Sequence, residues 1–175
     1  QLGALQTPFV PAGRVPTFVT GFSVATPQFR RFAASAGVTA GNDVDFLETS
    51  RVRRRDYNAS LDLRPSDRLR VSATYLGTSF TRREGGARIA STRIPRLRAE
   101  YQIARPVFVR VVSQYESVER LAPRDPLTGA ILLVEDPATG AIAPASGRAS
   151  NALRTDWLFS YRPSPGTVFF LGYGN

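Results

Sequence analysis

Four stretches of the chain alternate strictly between apolar and polar residues. In the first, Tyr57, Ala59, Leu61 and Leu63 fall on one side, with Asn58, Ser60 and Asp62 on the other. In the second, Leu69, Val71, Ala73 and Tyr75 alternate with Arg70, Ser72 and Thr74. In the third, Leu97, Ala99, Tyr101 and Ile103 alternate with Arg96, Arg98, Glu100 and Gln102. In the fourth, Leu153, Thr155, Trp157, Phe159 and Tyr161 alternate with Arg154, Asp156 and Ser160. A period of two means β-strands with one apolar and one polar face. Two further stretches are less regular: Phe32 to Val38, and Val107 to Glu116, where Arg110 and Glu116 fall on the polar side. The segment from Val168 to Tyr173 is apolar on both faces, so parity does not orient it.

The connections sharpen this picture. Arg64-Pro65-Ser66-Asp67, Arg105-Pro106 and Arg162-Pro163-Ser164-Pro165-Gly166 are short turns, and Pro27 marks a candidate earlier one. Proline presets φ and withholds a donor, which suits turns and not central strands. Longer connections cover about 39–50, 81–90 and 117–150. Short and long connections therefore alternate, as in an outer-membrane barrel with short periplasmic turns and long outer loops. With their flanks the alternating runs reach about ten to thirteen residues. Soluble strands average about 5–6, whereas a tilted strand needs about 9–11 to cross a bilayer. The expectation is one all-β domain over residues 1–175, an antiparallel meander of about seven to eight long strands forming a transmembrane β-barrel segment, with the barrel incomplete.

Register can be predicted across the turns. Folding about Ser66 sets Leu63 opposite Leu69, Asp62 opposite Arg70, Leu61 opposite Val71 and Tyr57 opposite Tyr75, each cross-strand pair worth roughly 0.2–1 kcal/mol. Across Arg105-Pro106 two registers compete, one pairing Glu100 with Arg110 and the other Arg96 with Glu116. Across the last turn, Tyr161, Phe159 and Trp157 face Phe169, Leu171 and Tyr173, which predicts an aromatic patch. The aromatics Tyr57, Tyr75, Tyr101, Tyr115, Trp157, Phe159, Tyr161, Phe169 and Tyr173 are thus expected on the lipid-facing side, where amphipathic rings form interfacial girdles.

Composition narrows the function classes. The chain is 42% hydrophobic but has no apolar run of the length needed for a transmembrane helix. It contains no Cys and no His, and all 23 basic residues are Arg. Disulfides and cysteine metal sites are excluded, and without His, Cys or Lys most nucleophilic triads cannot be assembled. No catalytic constellation is present, so the chain is not expected to be an enzyme, and no cofactor is implied. The net charge of +9 reflects either Arg-biased codon usage or an anionic partner, with phosphorylated lipid and nucleic acid as the options. A nucleic-acid surface would interleave aromatics with Arg on one face. Here they take opposite faces, so no nucleic-acid partner is expected, and a soluble basic β-sheet domain binding nucleic acid or another anion is the competing reading.

The Arg-Pro-Ser turns, the segment Leu153-Arg154-Thr155-Asp156-Trp157-Leu158-Phe159-Ser160-Tyr161-Arg162-Pro163 and the following Val168-Phe169-Phe170-Leu171-Gly172-Tyr173-Gly174 resemble one bacterial family. Its members are large outer-membrane proteins with a C-terminal barrel domain of uncharacterised function and an N-terminal domain similar to family-9 carbohydrate-binding modules. The resemblance covers about residues 14–175. It implies location in the bacterial outer membrane, insertion by the barrel assembly machinery, and a carbohydrate-module-like domain in the same full-length chain. The chain departs from the family in lacking that module and the closing strand with a terminal aromatic. It opens at Gln1 without Met and ends within a strand pattern, so a fragment is expected, with the export signal and further barrel outside it. Some family members are labelled membrane-associated hydrolases. An active site of that kind would lie outside this chain. The function expected is therefore structural or transport-type: an anchoring or pore-forming part of a larger cell-surface protein.

Four groups are candidate sites. Asp62, Arg70, Arg96, Arg98, Glu100, Arg110, Glu116, Arg154 and Asp156 are expected on the lumen side, as a selectivity lining or a structural salt-bridge ladder. Arg51, Arg53 and Arg55 continue the lipid-facing parity at the outer-loop end, as a contact to lipopolysaccharide phosphates or as a solvated basic stretch. Asp43, Asp45 and Glu48 form an acidic loop cluster, for a cation or for turn chemistry. In the long loop, Asp125-Pro126-Leu127-Thr128-Gly129-Ala130 recurs as Asp136-Pro137-Ala138-Thr139-Gly140-Ala141 around an apolar Ile131–Val134 segment. This predicts an extracellular hairpin that covers the lumen or binds a ligand, or else is a duplicated turn with no ligand.

Overall fold

A computed structural model of the chain describes residues 16–83 and 85–175. The alternating stretches form strands throughout: β1 (Val19–Ala25), β2 (Phe32–Asp45), β3 (Ser50–Ser66), β4 (Leu69–Arg82), β5 (Arg88–Ala104), β6 (Val107–Arg120), β7 (Leu133–Glu135), β8 (Ile142–Pro144), β9 (Arg148–Ser164) and β10 (Thr167–Gly174). Eight of them make one antiparallel sheet in the order β1-β2-β3-β4-β5-β6-β9-β10, while β7 and β8 pair separately. No helix is described. The sheet is a meander and is not closed: β1 and β10 are its edges.

Several strands are longer than the sequence pattern predicts, β3, β5 and β9 reaching 17 residues each. The expected long connections at 39–50 and 81–90 shrink accordingly to 46–49 and 83–87, and the third excursion narrows to 121–147. Charged side chains end the apolar alternation without ending the main-chain ladder, because both ladder partners stay hydrogen-bonded whatever the side chains are. Pro95 lies inside the central strand β5, against the expectation that proline stays in turns. The ladder accommodates it: the β5–β6 register steps from Arg93↔Ser117 to Arg96↔Gln114 and skips Ile94 and Pro95.

The register expectations divide. The last turn pairs Tyr161 with Phe169, Phe159 with Leu171 and Trp157 with Tyr173 as expected. Across Arg105-Pro106 the first of the two alternatives is adopted, with Glu100 opposite Arg110. The Ser66 fold is off by two residues: Leu63 meets Val71, Leu61 meets Ala73, Asp62 meets Ser72 and Tyr57 meets Gly77. An irregularity between Leu63 and Ser66, at Arg64-Pro65, takes up the difference. A two-residue slip keeps every side chain on its face, so the predicted parity survives.

A row drawn across the sheet exposes a regular stagger. It runs Phe32, Leu63, Val71, Ala99, Val111, Trp157, Tyr173. Phe32 begins β2, Val71 lies two residues into β4, Val111 four into β6 and Tyr173 six into β10. The turn-side ends are therefore offset by one residue per strand. In a closed barrel that stagger corresponds to a strand tilt of about 36°.

The sheet has no second layer. The accessible surface is 13202 Å², against about 8,400 Å² for a globular protein of this mass. Among the described residues only Val52 and Ile89 are buried apolar side chains. The polar face is the concave one. Asp45 at the end of β2 bonds Arg120 at the end of β6 at 2.6 Å, although strands four places apart lie about 19 Å apart on a flat sheet.

The 121–147 excursion contains two hairpins, not the single one expected, each capped by one copy of the repeat. Asp125 Oδ1 accepts from the Leu127 amide at 2.8 Å, Asp125 Oδ2 from Thr128 Oγ1 at 3.0 Å, and the Asp125 carbonyl from the Gly129 amide at 2.8 Å. Asp136 repeats the set with Ala138 at 2.9 Å, Thr139 at 2.9 Å and Gly140 at 2.7 Å. Gly129 and Gly140 both sit in the left-handed region, at φ 71° and 70°, which glycine tolerates without strain. The first copy closes on the Arg124–Ile131 bridge and the second on β7–β8.

Both carboxyls are held below the ordinary aspartate range, first by the backbone amide two residues on and then by the threonine hydroxyl. A lowered folded-state value means this stabilisation is present above the unfolded value, near pH 4, and is lost as the pH falls through the folded value. Carboxyl-detected NMR titration should find Asp125 and Asp136 below free aspartate, and Thr128→Ala or Thr139→Ala should move the matching carboxyl upward. A titration at the ordinary value would contradict the hydrogen-bonded arrangement.

Candidate functional site

The nine charged residues expected on the polar side all fall on the concave face. Near the turn end, Arg70 stands opposite Glu100, which stands opposite Arg110. The ladder is only partly ion-paired. Arg70 reaches Asp62 diagonally at 3.3 Å, and Arg98 binds Glu100 two residues along the same strand at 2.5 Å. Arg96, Arg110, Glu116, Arg154 and Asp156 have no ion pair among the described residues. Charges that are exposed, as at Arg96, Arg154 and Asp156, or half-buried, as at Arg110 and Glu116, keep much of their hydration, and the few exposed pairs that form contribute little stability.

At the loop end the polar face carries a bridge that the sequence pattern does not announce. The turn after β2 folds inward over the concavity. Glu48, 2% exposed, accepts from Arg82 of β4 at 2.5 and 3.0 Å and from the Arg124 amide at 3.0 Å. Asp45 accepts from Arg120 Nη2 at 2.8 and 2.6 Å and caps its own turn by accepting from the Leu47 amide at 2.9 Å. Thr49 follows at φ 48°, a left-handed conformation unusual for a β-branched residue. The buried Val52 and Ile89 occupy the same end of the sheet. The acidic trio is therefore not a shared cation site: Asp43 and Asp45 lie in β2, not in a loop, and Asp43 turns to Arg54 at 3.4 Å, Asp45 to Arg120 and Glu48 to Arg82. No cluster of three acidic ligands occurs among the described residues.

The convex face carries all nine expected aromatics, by register. Tyr161 stacks on Phe169 with centroids 6.2 Å apart. The Tyr75 ring lies along Gly77, where an added Cβ would meet its hydroxyl at 3.1 Å, so the phenol points toward the loop end. Arg51, Arg53 and Arg55 occupy the convex face of β3 at that end, all exposed and with no acid within ion-pair distance among the described residues. Arg93 of β5 joins them on the same face, and sequence reasoning passed over it. Its parity signal, Arg93-Ile94-Pro95, was masked by the proline.

The face is graded along its length. Counted from the turn-side ends, Asn42 lies ten residues beyond Phe32, Ser79 ten beyond Leu69 and Ser117 ten beyond Val107. Arg55 is the partner of Ser79 and Arg93 the partner of Ser117. Below that level the convex positions of β2 to β6 are apolar except Ser113, whose hydroxyl is hydrogen-bonded to Thr155 at 2.8 Å.

No protein-family model matches the chain, and neither a curated protein nor a solved structure matches it. The loop-end bridge makes its own prediction. Glu48→Gln keeps the shape but leaves Arg82 facing a neutral amide, and breaking such a pair costs about 3 kcal/mol. Amide exchange at Leu47 and Glu48 should accelerate strongly in the variant while the β9–β10 ladder keeps its protection. Unchanged exchange at the turn would show that the bridge does not hold it.

Proposed function

We propose that the chain is an arc of an outer-membrane β-barrel, an anchoring or pore-forming part of a larger cell-surface protein. The observation that carries this reading is the sharp level at which the convex face changes character. The apolar stretch spans ten residues of strand, bounded by Asn42, Arg55 and Arg93. Ten residues tilted by about 36° rise about 27 Å, close to the apolar band of about 25 Å on outer-membrane barrels.

Further features support it. Convex residues such as Leu97 and Leu153 are 48% and 63% exposed with no second layer to cover them, a face that water disfavours and lipid accepts. The mid-band hydroxyls of Ser113 and Thr155 satisfy each other, as groups in hydrocarbon must. The long excursion at 121–147 on one end, against two-residue turns after β3, β5 and β9 on the other, fits the asymmetry of such barrels. In lipid the edges of β1 and β10 would have to be paired, since open edges do not persist in hydrocarbon. The resemblance of the Arg-Pro turns to carbohydrate-module-bearing outer-membrane proteins points the same way.

In this reading Arg51, Arg53 and Arg55, with Arg93, meet the phosphates of outer-leaflet lipopolysaccharide, where guanidinium forks suit phosphate geometry. Replacing all four with Ser should weaken retention of the refolded protein on lipopolysaccharide-containing vesicles while leaving phosphatidylcholine vesicles unaffected. Equal retention on both would remove the phosphate contact.

The barrel itself is tested by position. Leu97→Arg places a charge inside the band and should cost about 2–4 kcal/mol of unfolding free energy in lipid vesicles, whereas Ser117→Arg at the boundary should cost about 0–1. Denaturant unfolding after refolding into vesicles, with heat-modifiable gel migration as the folding readout, measures both. Similar small costs for the two variants would indicate a sheet whose convex face does not lie in lipid.

A further inference from the structure

The turn-side mouth of the concave face holds a second arginine group, distinct from the loop-end rim. A cavity of about 930 Å³ opens there, lined by Arg30, Arg31, Arg64, Arg68 and Arg70. Asp67 and Glu100 also line it, so five guanidinium groups face two carboxylates. Two of those charges are already engaged: Glu100 by Arg98 at 2.5 Å, and Arg70 by Asp62 at 3.3 Å. Arg30, Arg31, Arg64 and Arg68 have no carboxylate within ion-pair distance among the described residues.

The backbone fixes the carriers of these side chains against one another. The Arg64 amide donates to the Arg31 carbonyl at 2.7 Å, which ties the turn before β2 to the end of β3. The Gln102 amide donates to the Arg68 carbonyl at 2.7 Å, which ties the β3–β4 turn to β5. The Arg68 amide in turn donates to Ser66 Oγ at 3.3 Å. Four uncompensated cations are thus gathered from two turns around one concavity. Like charges held together repel, and an anion entering the cavity relieves that repulsion while offering oxygens to several forks.

We propose that this mouth binds a soluble anion carrying two or more phosphate groups. Two pairs of arginines, Arg30 with Arg31 before β2 and Arg64 with Arg68 at the β3–β4 turn, can supply forks to two phosphate groups. The cavity is also far larger than a single phosphate requires. Arg70 shares the concave face with Glu100 and Gln102, while Leu69 and Tyr101 in the lining lead to the convex face, so a soluble anion and a phospholipid headgroup are separated by the vesicle arm of the test below. The site does not require that the arc be membrane-inserted, so it stands or falls separately from the barrel reading.

The test is isothermal titration of the full 175-residue chain, refolded in detergent micelles, with inorganic pyrophosphate and with inorganic phosphate. Saturable pyrophosphate binding at least tenfold tighter than phosphate binding is expected, weakening as salt rises. Arg64→Ser with Arg68→Ser, and separately Arg30→Ser with Arg31→Ser, should each reduce pyrophosphate affinity tenfold or more. Arg148→Ser, at the opposite rim where β9 begins, should leave it unchanged. Gel mobility and circular dichroism check that each variant folds. If the Arg64 and Arg68 variant does not refold, the Arg30 and Arg31 variant decides, because those residues precede β2 and belong to no strand. Absence of saturable binding, an equal loss in the rim variant, or turn-arginine-dependent binding of phosphatidylglycerol vesicles in place of pyrophosphate would each overturn the proposal.

Discussion

Everything in this structure rests on the continuous main-chain ladder that links β1 to β10. A globular domain is held together by a packed core. Here the buried apolar residues among those described are Val52 and Ile89 alone, far too few to repay the chain entropy of ordering eight strands. The ladder satisfies the backbone but contributes little net stability in water, where the unfolded chain is hydrogen-bonded as well. The balance changes in hydrocarbon. There an unpaired amide costs several kcal/mol, and the convex side chains gain the environment that water denies them. On the barrel reading proposed above, the ladder that is marginal in water becomes decisive in lipid, and the exposed leucines and valines of the convex face acquire a physical reason.

Curvature and stagger follow from that ladder together with the charges attached to it. The one-residue offset per strand tilts the apolar stretch relative to the strand axes and lines up its edge across β2 to β6, so Asn42, Arg55 and Arg93 fall at one level although they are remote in sequence. Concavity on the polar side then brings the two ends of the inner charge pattern within reach. Asp45 meets Arg120 and Glu48 meets Arg82 only because the sheet curls toward them. These pairs are nearly buried on the acid side and partly exposed on the arginine side, a geometry in which desolvation offsets much of the Coulombic gain. Their clearest consequence is geometrical: they hold a short turn over the concavity.

Much of this was legible in the residues, and the failures have identifiable causes. Face assignment followed from period-two parity, and it held for Tyr57 through Tyr173 because no slip by two residues alters it. Register at the last turn was readable because three large side chains face three others there. Register at the β3–β4 turn was not, because Arg64-Pro65 introduces an irregularity that no side-chain matching reveals. Strand length was underestimated wherever Arg, Asp or Ser replaced the apolar partner, as at Asp43 and Arg82, since hydrophobic alternation reports the environment of a strand and not its hydrogen bonding. Pro95 hid both the continuity of β5 and the parity of Arg93. The inward turn at Glu48 was beyond sequence reasoning altogether: its partners come from β4 and from the segment after β6, 34 and 76 residues away.

The arginines show how much a single parity bit decides. Arg51, Arg53, Arg55 and Arg93 take the convex face at the loop end, whereas Arg70 takes the concave face near the turn end. A cation on the convex side touches only what surrounds the sheet. One on the concave side touches only what enters it. Arg54 demonstrates the contrast within one run: flanked by Arg53 and Arg55, it turns to the opposite face, where it binds Asp56 at 2.9 Å and Asp43 at 3.4 Å and lies over the Phe80 ring at 5.8 Å. Among the described residues its neighbours on either side have no ion pair. A tract that reads in sequence as undifferentiated positive charge is therefore divided by the pleat into a neutralised member and free ones, and only the free ones have charge left to offer a ligand.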